Sequence, residues 1–369
     1  MATDPRAPLT FVCYRLDVAA GMERACARVI GALARDLDVR VVVLRGREVA
    51  PPIAALLGDV DVDLAWPLGL RRRGARSARD GRTVIVGAWA ALLAPDLWLA
   101  RPHVTVWEHS LLRERLPYYP TLRRAFPVLA RLYRRAESVV CVSRAVHDFV
   151  AESVAPRRTS VIPNIVDGGQ DHDLGVAQAA RAVARPNDGA LRLLSTQRMV
   201  PVKHVELAVQ CLAHLPDSTT LVCAGDGPRR HAIESLAAAH GVRARVELPG
   251  HVDDVGALLA HADVLVHTAY SETFGLSLVE AAARGVPVTC LAGGALAEMV
   301  PHYVPGVVVG DRSPGAFAEG VQRAAALAGD AARFAAAAAR RAETFGEAVV
   351  LEQWRAELAR LGGAAVAAR

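Results

Sequence analysis

Along this chain, short runs of β-branched and other apolar residues alternate with stretches whose apolar positions recur every three or four residues. That is the rhythm of parallel strands joined by crossover helices. In the first half, residues 9–14, 39–44, 83–86, 104–107, 139–142 and 160–162 read as strands, with residues 22–35 and 121–135 the clearest helices between them. The rhythm fails across residues 167–189, a stretch carrying Gly, Asp, Ala and Pro. It restarts with strands at 191–195, 220–223, 246–248, 264–267, 286–290 and 307–309, each followed by a helix or a polar turn. The alanine-rich tail, residues 331–369, reads as helix, with Trp354 placed to anchor it. The pattern predicts an N-terminal α/β domain over 1–168, a linker over 169–189, a second α/β domain over 190–345 and a C-terminal helix over 346–369 with the option of packing back on the first domain. Small-molecule sites in such sheets lie beyond the carboxyl ends of the strands, so two facing sheets would share a cleft.

Composition excludes more than it identifies. The hydrophobic fraction of 52% is inflated by alanine and the aromatic fraction is only 5%, which suits an ordinary soluble chain. The longest apolar stretch, residues 84–94, ends at Pro95-Asp96. It is well short of the roughly twenty residues a membrane helix needs. Asp4, Pro5 and Arg6 near the start argue against a signal peptide. Cys13, Cys26, Cys141, Cys211, Cys223 and Cys290 show no metal-ligand spacing, and most lie in apolar runs, so buried reduced thiols in a cytoplasmic protein are expected.

The net charge of +5 is unevenly spread. Arg71, Arg72, Arg73, Arg76, Arg79 and Arg82 crowd one polar loop, and Arg123, Arg124, Arg131, Arg134 and Arg135 share a helix with Leu122, Phe126, Leu129 and Leu132. The plain reading is a solvated loop and an amphipathic helix. The functional one is peripheral contact with an anionic membrane at its inner face, or an acidic acceptor. No nucleic-acid motif or aromatic interleaving accompanies the charge, so nucleic acid is not expected as a partner.

Candidate chemistry concentrates in the second half. The chain has forty-two arginines and one lysine, Lys203, five residues after Arg198. A lone ammonium in so arginine-biased a chain suggests a site where a guanidinium will not substitute. Both cations lie between an apolar strand and a helix, where an α/β domain binds phosphate. Gly225-Asp226-Gly227-Pro228 and Gly293-Gly294-Ala295-Leu296-Ala297-Glu298 each end a strand and open a helix. Ser271-Glu272-Thr273-Phe274-Gly275-Leu276 leads into a second run, Ser277-Leu278-Val279-Glu280-Ala281-Ala282, with Glu272 in the loop and Glu280 on an otherwise apolar helix expected to be buried. A carboxylate on such a helix needs partners, and sugar hydroxyls would serve. Together these residues suit a ligand with a diphosphate and several sugar hydroxyls.

On these residues the chain resembles the retaining nucleotide-sugar glycosyltransferases of family 4. Glu272 to Glu280 matches the E-x(7)-E signature, Ala20-Gly21-Met22-Glu23-Arg24 the first glycine loop, and His109 the histidine after an N-domain strand. Val161-Ile162-Pro163-Asn164-Ile165-Val166-Asp167 is similar to the V-I-P-N-G-V-D hinge, and Gly225-Asp226-Gly227-Pro228 to the G-D-G-P turn. The resemblance implies an α/β GT-B fold, two Rossmann-like domains facing across a central cleft, with the acceptor on the first and the nucleotide sugar on the second. It implies that Arg198 and Lys203 clamp the diphosphate, Glu280 holds the ribose, Glu272 the transferred sugar, and His109 lies beside the anomeric centre. Backbone of Phe274, Gly275 and Leu276, with Gly21, would contact sugar or phosphate, Gly225 would line the donor site, and the backbone of His251 and Val252 would meet the base. In such relatives the departing phosphate helps deprotonate the acceptor.

Four positions depart from the family pattern: Gln197 and His204 stand where glycine is usual beside Arg198 and Lys203, Ile165 replaces the hinge glycine, and Ala20 one glycine of the first loop. The four charged donor positions remain, so an active enzyme is expected, using a UDP-sugar in preference to a GDP-sugar. Asp61-Val62-Asp63 mimics the D-x-D metal motif of a different glycosyltransferase fold but belongs to an alternating strand. No metal or other cofactor is expected. The hydroxyl-bearing acceptor is either a lipid-linked or cell-envelope glycan, as the basic loop suggests, or a bacterial secondary metabolite, as the arginine bias of a high-G+C genome suggests. A sugar-nucleotide epimerase or hydrolase on the same scaffold, or a non-catalytic binding subunit, stays open as an alternative.

Overall fold

The computed structural model describes residues 9–64, 82–94, 103–166, 189–252 and 254–361. The chain divides into two compact units, Met1–Ile165 with Phe345–Arg369, and Val166–Thr344. Linker residues 169–188 and the basic loop from Arg71 to residue 81 lie outside the described residues.

The first unit holds a parallel sheet of β1 (Leu9–Cys13), β2 (Val39–Val43), β3 (Asp61–Leu64), β4 (Thr83–Val86), β5 (Val104–Glu108), β6 (Ser138–Cys141) and β7 (Thr159–Val161). Their order is β3-β2-β1-β4-β5-β6-β7. β1, β4, β5 and β6 are buried at every position, because helices cover both faces; this is why they read as unbroken apolar runs. The order reverses at β1, so loops after β1 and β4 diverge there and leave the crevice where such sheets bind ligands. Asp61-Val62-Asp63 falls on the half-open edge strand β3, where Asp61 pairs with Arg40 of β2 at 3.0 Å. Helices α1 (Gly21–Leu33), α2 (Pro51–Leu57), α3 (Gly87–Leu93), α4 (Leu112–Arg115), α5 (Pro120–Arg135) and α6 (Arg144–Ser153) connect the strands. α5 turns Leu122, Leu129, Ala130 and Tyr133 inward and leaves Arg123, Arg124, Arg131, Arg134 and Arg135 exposed beside Val128.

The second unit repeats the design with β8 (Arg192–Ser195), β9 (Thr220–Ala224), β10 (Val246–Gly250), β11 (Val264–His267), β12 (Val288–Leu291) and β13 (Gly306–Val309), ordered β10-β9-β8-β11-β12-β13, all parallel. β12 begins at Val288 rather than at 286, since Pro287 has no N–H to add to the ladder. Its helices are α7 (Val205–Gln210), α8 (Arg230–Ala239), α9 (Val255–His261), α10 (Leu276–Ala283), α11 (Leu296–Met299), α12 (Pro314–Ala325) and α13 (Ala331–Phe345).

The helical tail is two helices, α13 and α14 (Glu347–Arg360), broken at Gly346 in extended conformation. α14 belongs to the first unit. Trp354 is fully buried there, edge-on to Trp107 of β5 at 4.7 Å and to Phe11 of β1 at 6.5 Å. Arg158 donates to the buried Glu357 carboxylate at 2.9 Å. No helix among the described residues is long and apolar enough to cross a membrane.

Candidate functional site

In the second unit the sequence-predicted donor residues gather at the carboxyl ends of β8, β9 and β11. The loop after β8 carries Arg198 and Lys203. Its path depends on the turn after β9: Met199 N–H donates to Asp226 O at 2.9 Å, and Arg229 N–H to Met199 O at 3.0 Å. Gly225 has to be glycine, because a Cβ there would lie 2.2 Å from Gln197 O. The loop after β11 is braced in the same way. Tyr270 N–H donates to Val202 O and Ala295 N–H to Glu272 O, and a Cβ on Gly293 would strike Tyr270 O at 2.2 Å. The two glycine turns thus hold the cation loop and the carboxylate loop by close backbone contact.

Between those loops Lys203 Nζ donates to Glu272 Oε2 at 2.7 Å, with both side chains about a fifth exposed (21% and 18%). Burial alone would raise the Glu272 carboxyl. The Lys203 ammonium and the neighbouring His267 outweigh it and hold the group well below the usual carboxylate range. Glu272 Oε1 accepts from Thr273 N–H at 3.0 Å. Arg198 is exposed and has no side-chain partner among the described residues, so its guanidinium faces outward. Gly275 caps α10: the Leu278 and Val279 N–H groups bond its carbonyl, and the N–H groups of Leu276 and Ser277 have no acceptor within the helix. Glu280 is half-buried on the open side of α10, beside Leu276 and Ser277, rather than enclosed as the apolar pattern predicts. Phe274 is buried, and His251 and Val252 follow the end of β10. Among the described residues no group of His, Cys, Asp and Glu is arranged to hold a metal ion.

Gly21 and His109 belong to the first unit. Gly21 opens α1, and the same helix places Cys26 Sγ 3.3 Å from His109 Nε2. His109 follows β5 and rests on Trp107, ring centroids 4.6 Å apart. Burial lowers its pKa to about 3, so the ring is neutral near pH 7. The turn beneath it is pinned by the buried Glu108, which accepts from Ser110 N–H at 2.7 Å and from the Tyr133 hydroxyl of α5. At the β1–β4 reversal, Tyr14 and Trp89 lie 6.4 Å apart, and Arg45 donates to the Tyr14 hydroxyl at 2.7 Å. Arg45 also lines an open cavity of about 520 Å³ with Asp17, Gly46, Arg47 and Glu48.

Sequence reasoning missed four contributors. Gln197, noted only as a departure from glycine, is buried and accepts from both Thr268 N–H and Thr268 Oγ1 at 3.0 Å, tying the loop after β8 to that after β11. His267 hides in the apolar run of β11 with its Nε2 3.3 Å from Glu272 Oε2. Cys26 was read only as one of the buried thiols, and Glu108, just past the strand read at 104–107, was not singled out. A polar residue inside an apolar strand was the one available signal, and it marks His267 and Glu108. His204 stands in left-handed conformation (φ 47°), which explains why glycine is usual there, and stacks on Tyr270 at 4.4 Å.

Two family models match the chain, Glycosyltransferase Family 4 over residues 19–168 and Glycosyl transferases group 1 over residues 176–341. Glycogen synthase of Mycobacterium tuberculosis is 30% identical over 207 residues, 54% of this chain and 48% of that protein, so the chain spans about half of that relative's length. The 2-deoxystreptamine glucosyltransferase of Streptomyces kanamyceticus is 26% identical over 313 residues, 80% of this chain and 78% of that protein. Among solved structures, HepE of Anabaena in complex with UDP and glucose has 20% identity and a TM-score of 0.75, covering 96% of this chain and 99% of that one.

Proposed function

The chain belongs to the glycosyltransferases of the GT-B fold, with a family 4 amino-terminal half and a group 1 carboxy-terminal half, and from that premise we propose that it is a retaining enzyme moving a hexose or amino-sugar unit from a UDP-sugar to a hydroxyl acceptor without a metal. The observation that carries this reading is the pairing of the only lysine with Glu272, beside an outward-facing Arg198, at the carboxyl ends of the second sheet. Arg198 and Lys203 neutralise the diphosphate and the charge that grows on it as the anomeric C–O bond breaks. Glu272 and Glu280 accept hydrogen bonds from sugar and ribose hydroxyls, and the N-terminus of α10 faces the phosphate or sugar. The new bond to the acceptor oxygen forms on the face the leaving group vacates, and the acceptor's proton passes to the departing phosphate. Glu272 is engaged by Lys203 and serves as a hydrogen-bond acceptor, not as a nucleophile. His109 of the first unit is kept neutral by burial and adds no charge where it acts.

The acceptor belongs to the first unit. The Tyr14–Trp89 pair at the strand reversal, with Arg45, Asp17, Arg47 and Glu48 around the adjoining cavity, suits a polyhydroxy ring bearing charge. The exposed arginines of α5 suit an anionic membrane surface that would bring a lipid-linked acceptor within reach.

A thermal-shift screen against UDP, GDP, ADP and dTDP, with and without EDTA, tests the donor half of this reading. A ligand at a hundred times its Kd stabilises the native state by about 2.7 kcal/mol. The expected result is a raised melting temperature with UDP alone, indifferent to EDTA. A shift that vanishes in EDTA and returns with Mn²⁺ would overturn metal independence. Donor hydrolysis as fast as transfer to any acceptor would overturn the transferase reading.

A further inference from the structure

We propose that His267 is a positioning residue that takes over the Glu272 carboxylate when a donor's diphosphate draws Lys203 away. This rests on the reading of Lys203 as the diphosphate clamp.

Two side chains converge on one oxygen of Glu272. Lys203 Nζ bonds Glu272 Oε2 at 2.7 Å, and His267 Nε2 approaches the same atom to 3.3 Å without closing a hydrogen bond. The backbones that carry them are fixed. His267 is in the middle of the sheet on β11 and 2% exposed. Lys203 N–H donates to Val200 O at 2.9 Å with the Thr268 hydroxyl, shared with Gln197, 3.0 Å from Lys203 O, and Ala295 N–H holds Glu272 O at 2.8 Å. Only side chains are free to rearrange, and the four-carbon stem of lysine is the most mobile of them.

Lys203 cannot serve Glu272 and a diphosphate equally well. A diphosphate carries more charge than one carboxylate and will compete for the ammonium. Left with Oε2 unpartnered, the largely buried carboxylate would lose much of what keeps it ionised. His267 is the group placed to prevent this. The other β11 residues, Val264, Leu265 and Val266, are apolar and buried, so packing alone does not ask for an imidazole here. Its Nε2 is buried and without a hydrogen bond, which is costly unless another state uses it. A turn of Glu272 towards the tautomer bearing its proton on Nε2 closes that bond. The carboxylate then stays ionised and aimed at the sugar while Lys203 is on the phosphates.

The test compares wild type, His267→Leu and His267→Gln, measuring the melting temperature of the protein alone and the calorimetric affinity for UDP and for UDP-glucose. His267→Leu should melt close to wild type, since Nε2 closes no hydrogen bond in the donor-free protein and Lys203 still holds Glu272. It should bind UDP about tenfold more weakly, the scale of one lost hydrogen bond to a charged group. The loss should be smaller for UDP-glucose, whose hydroxyls give Glu272 a substitute donor. His267→Gln, with an amide N–H to offer, should recover most of the UDP affinity. A lower melting temperature with unchanged UDP affinity would mean a purely structural histidine and would overturn the proposal. Should His267→Leu not fold, His267→Gln decides alongside His267→Met: equal UDP affinity in the two overturns it. Failure of the underlying donor reading looks different, because then wild type binds no nucleoside diphosphate, or Lys203→Ala binds UDP as wild type does.

Discussion

Replacing Lys203 with Met removes the ammonium, keeps most of the aliphatic stem and leaves the Glu272 carboxylate to the weaker hold of His267 and the Thr273 N–H. Breaking a fully buried ion pair costs about 3–5 kcal/mol, most of it for the charge left behind. Here the two side chains are 21% and 18% exposed, so water relieves part of that cost. A loss of about 2–3 kcal/mol at pH 7 is expected. The pH dependence is the sharper signature. A carboxyl whose folded pKa lies below its ordinary value of 4.5 stabilises the fold at all pH above that value, and the contribution fades as pH falls towards the folded pKa. In the Met variant the main opposing charge is gone and His267 is the side chain left to hold the carboxyl down, so burial moves it above its wild-type folded value. Protonation then relieves the variant at a higher pH, while the wild type is losing its own advantage in acid. The stability difference must therefore shrink steadily from neutral pH into acid. Adding Glu272→Gln to Lys203→Met should recover much of the loss, because no stranded charge remains. Urea unfolding of the four proteins of this cycle at neutral and mildly acidic pH measures each quantity. An equal difference at both pH values, with no relief from Gln, would refute the ion-pair geometry.

Trp354→Ala empties a fully buried site against Trp107 and should cost about 3–5 kcal/mol. Trp107 also supports His109, so turnover should fall more than donor affinity well below the variant's melting temperature; unaltered turnover there would disprove the link. Arg198→Ala alters an exposed side chain and should leave stability within about 0.5 kcal/mol, while UDP affinity falls at least tenfold; calorimetry showing wild-type affinity would remove Arg198 from the clamp. His109 is held neutral, its pKa lowered to about 3, so a pH–rate profile should show no inflection from this ring over about pH 5–8; an inflection lost in His109→Asn would contradict this. Vesicles containing anionic lipid should float the protein at low salt and release it at high salt, and Arg123→Glu with Arg131→Glu should abolish flotation; flotation by the double variant would move the contact elsewhere.

The strands were legible because parallel sheets covered on both faces demand unbroken apolar segments, and almost nothing else in a soluble chain does. Val104–Glu108 and Val264–His267 show how far that goes, since pattern located both strands and ignored the polar residue ending each. Those two residues do local work that only the tertiary arrangement exposes. Glu108 meets Tyr133 across 25 positions of sequence, and Lys203 meets Glu272 across 69. The second meeting follows from the sheet order, in which β8 lies next to β11 rather than next to β10, and no periodicity encodes that order. Motif resemblance assigned Lys203 and Glu272 separate ligand groups; the fold adds that each is the other's partner. Gln197 carries the same lesson from the opposite side. The sequence showed it only as a departure from a glycine pattern, yet its side chain joins the two loops that carry the pair. Gln197→Gly, the change that restores the family pattern, should for that reason loosen the Lys203–Glu272 contact and not improve the site.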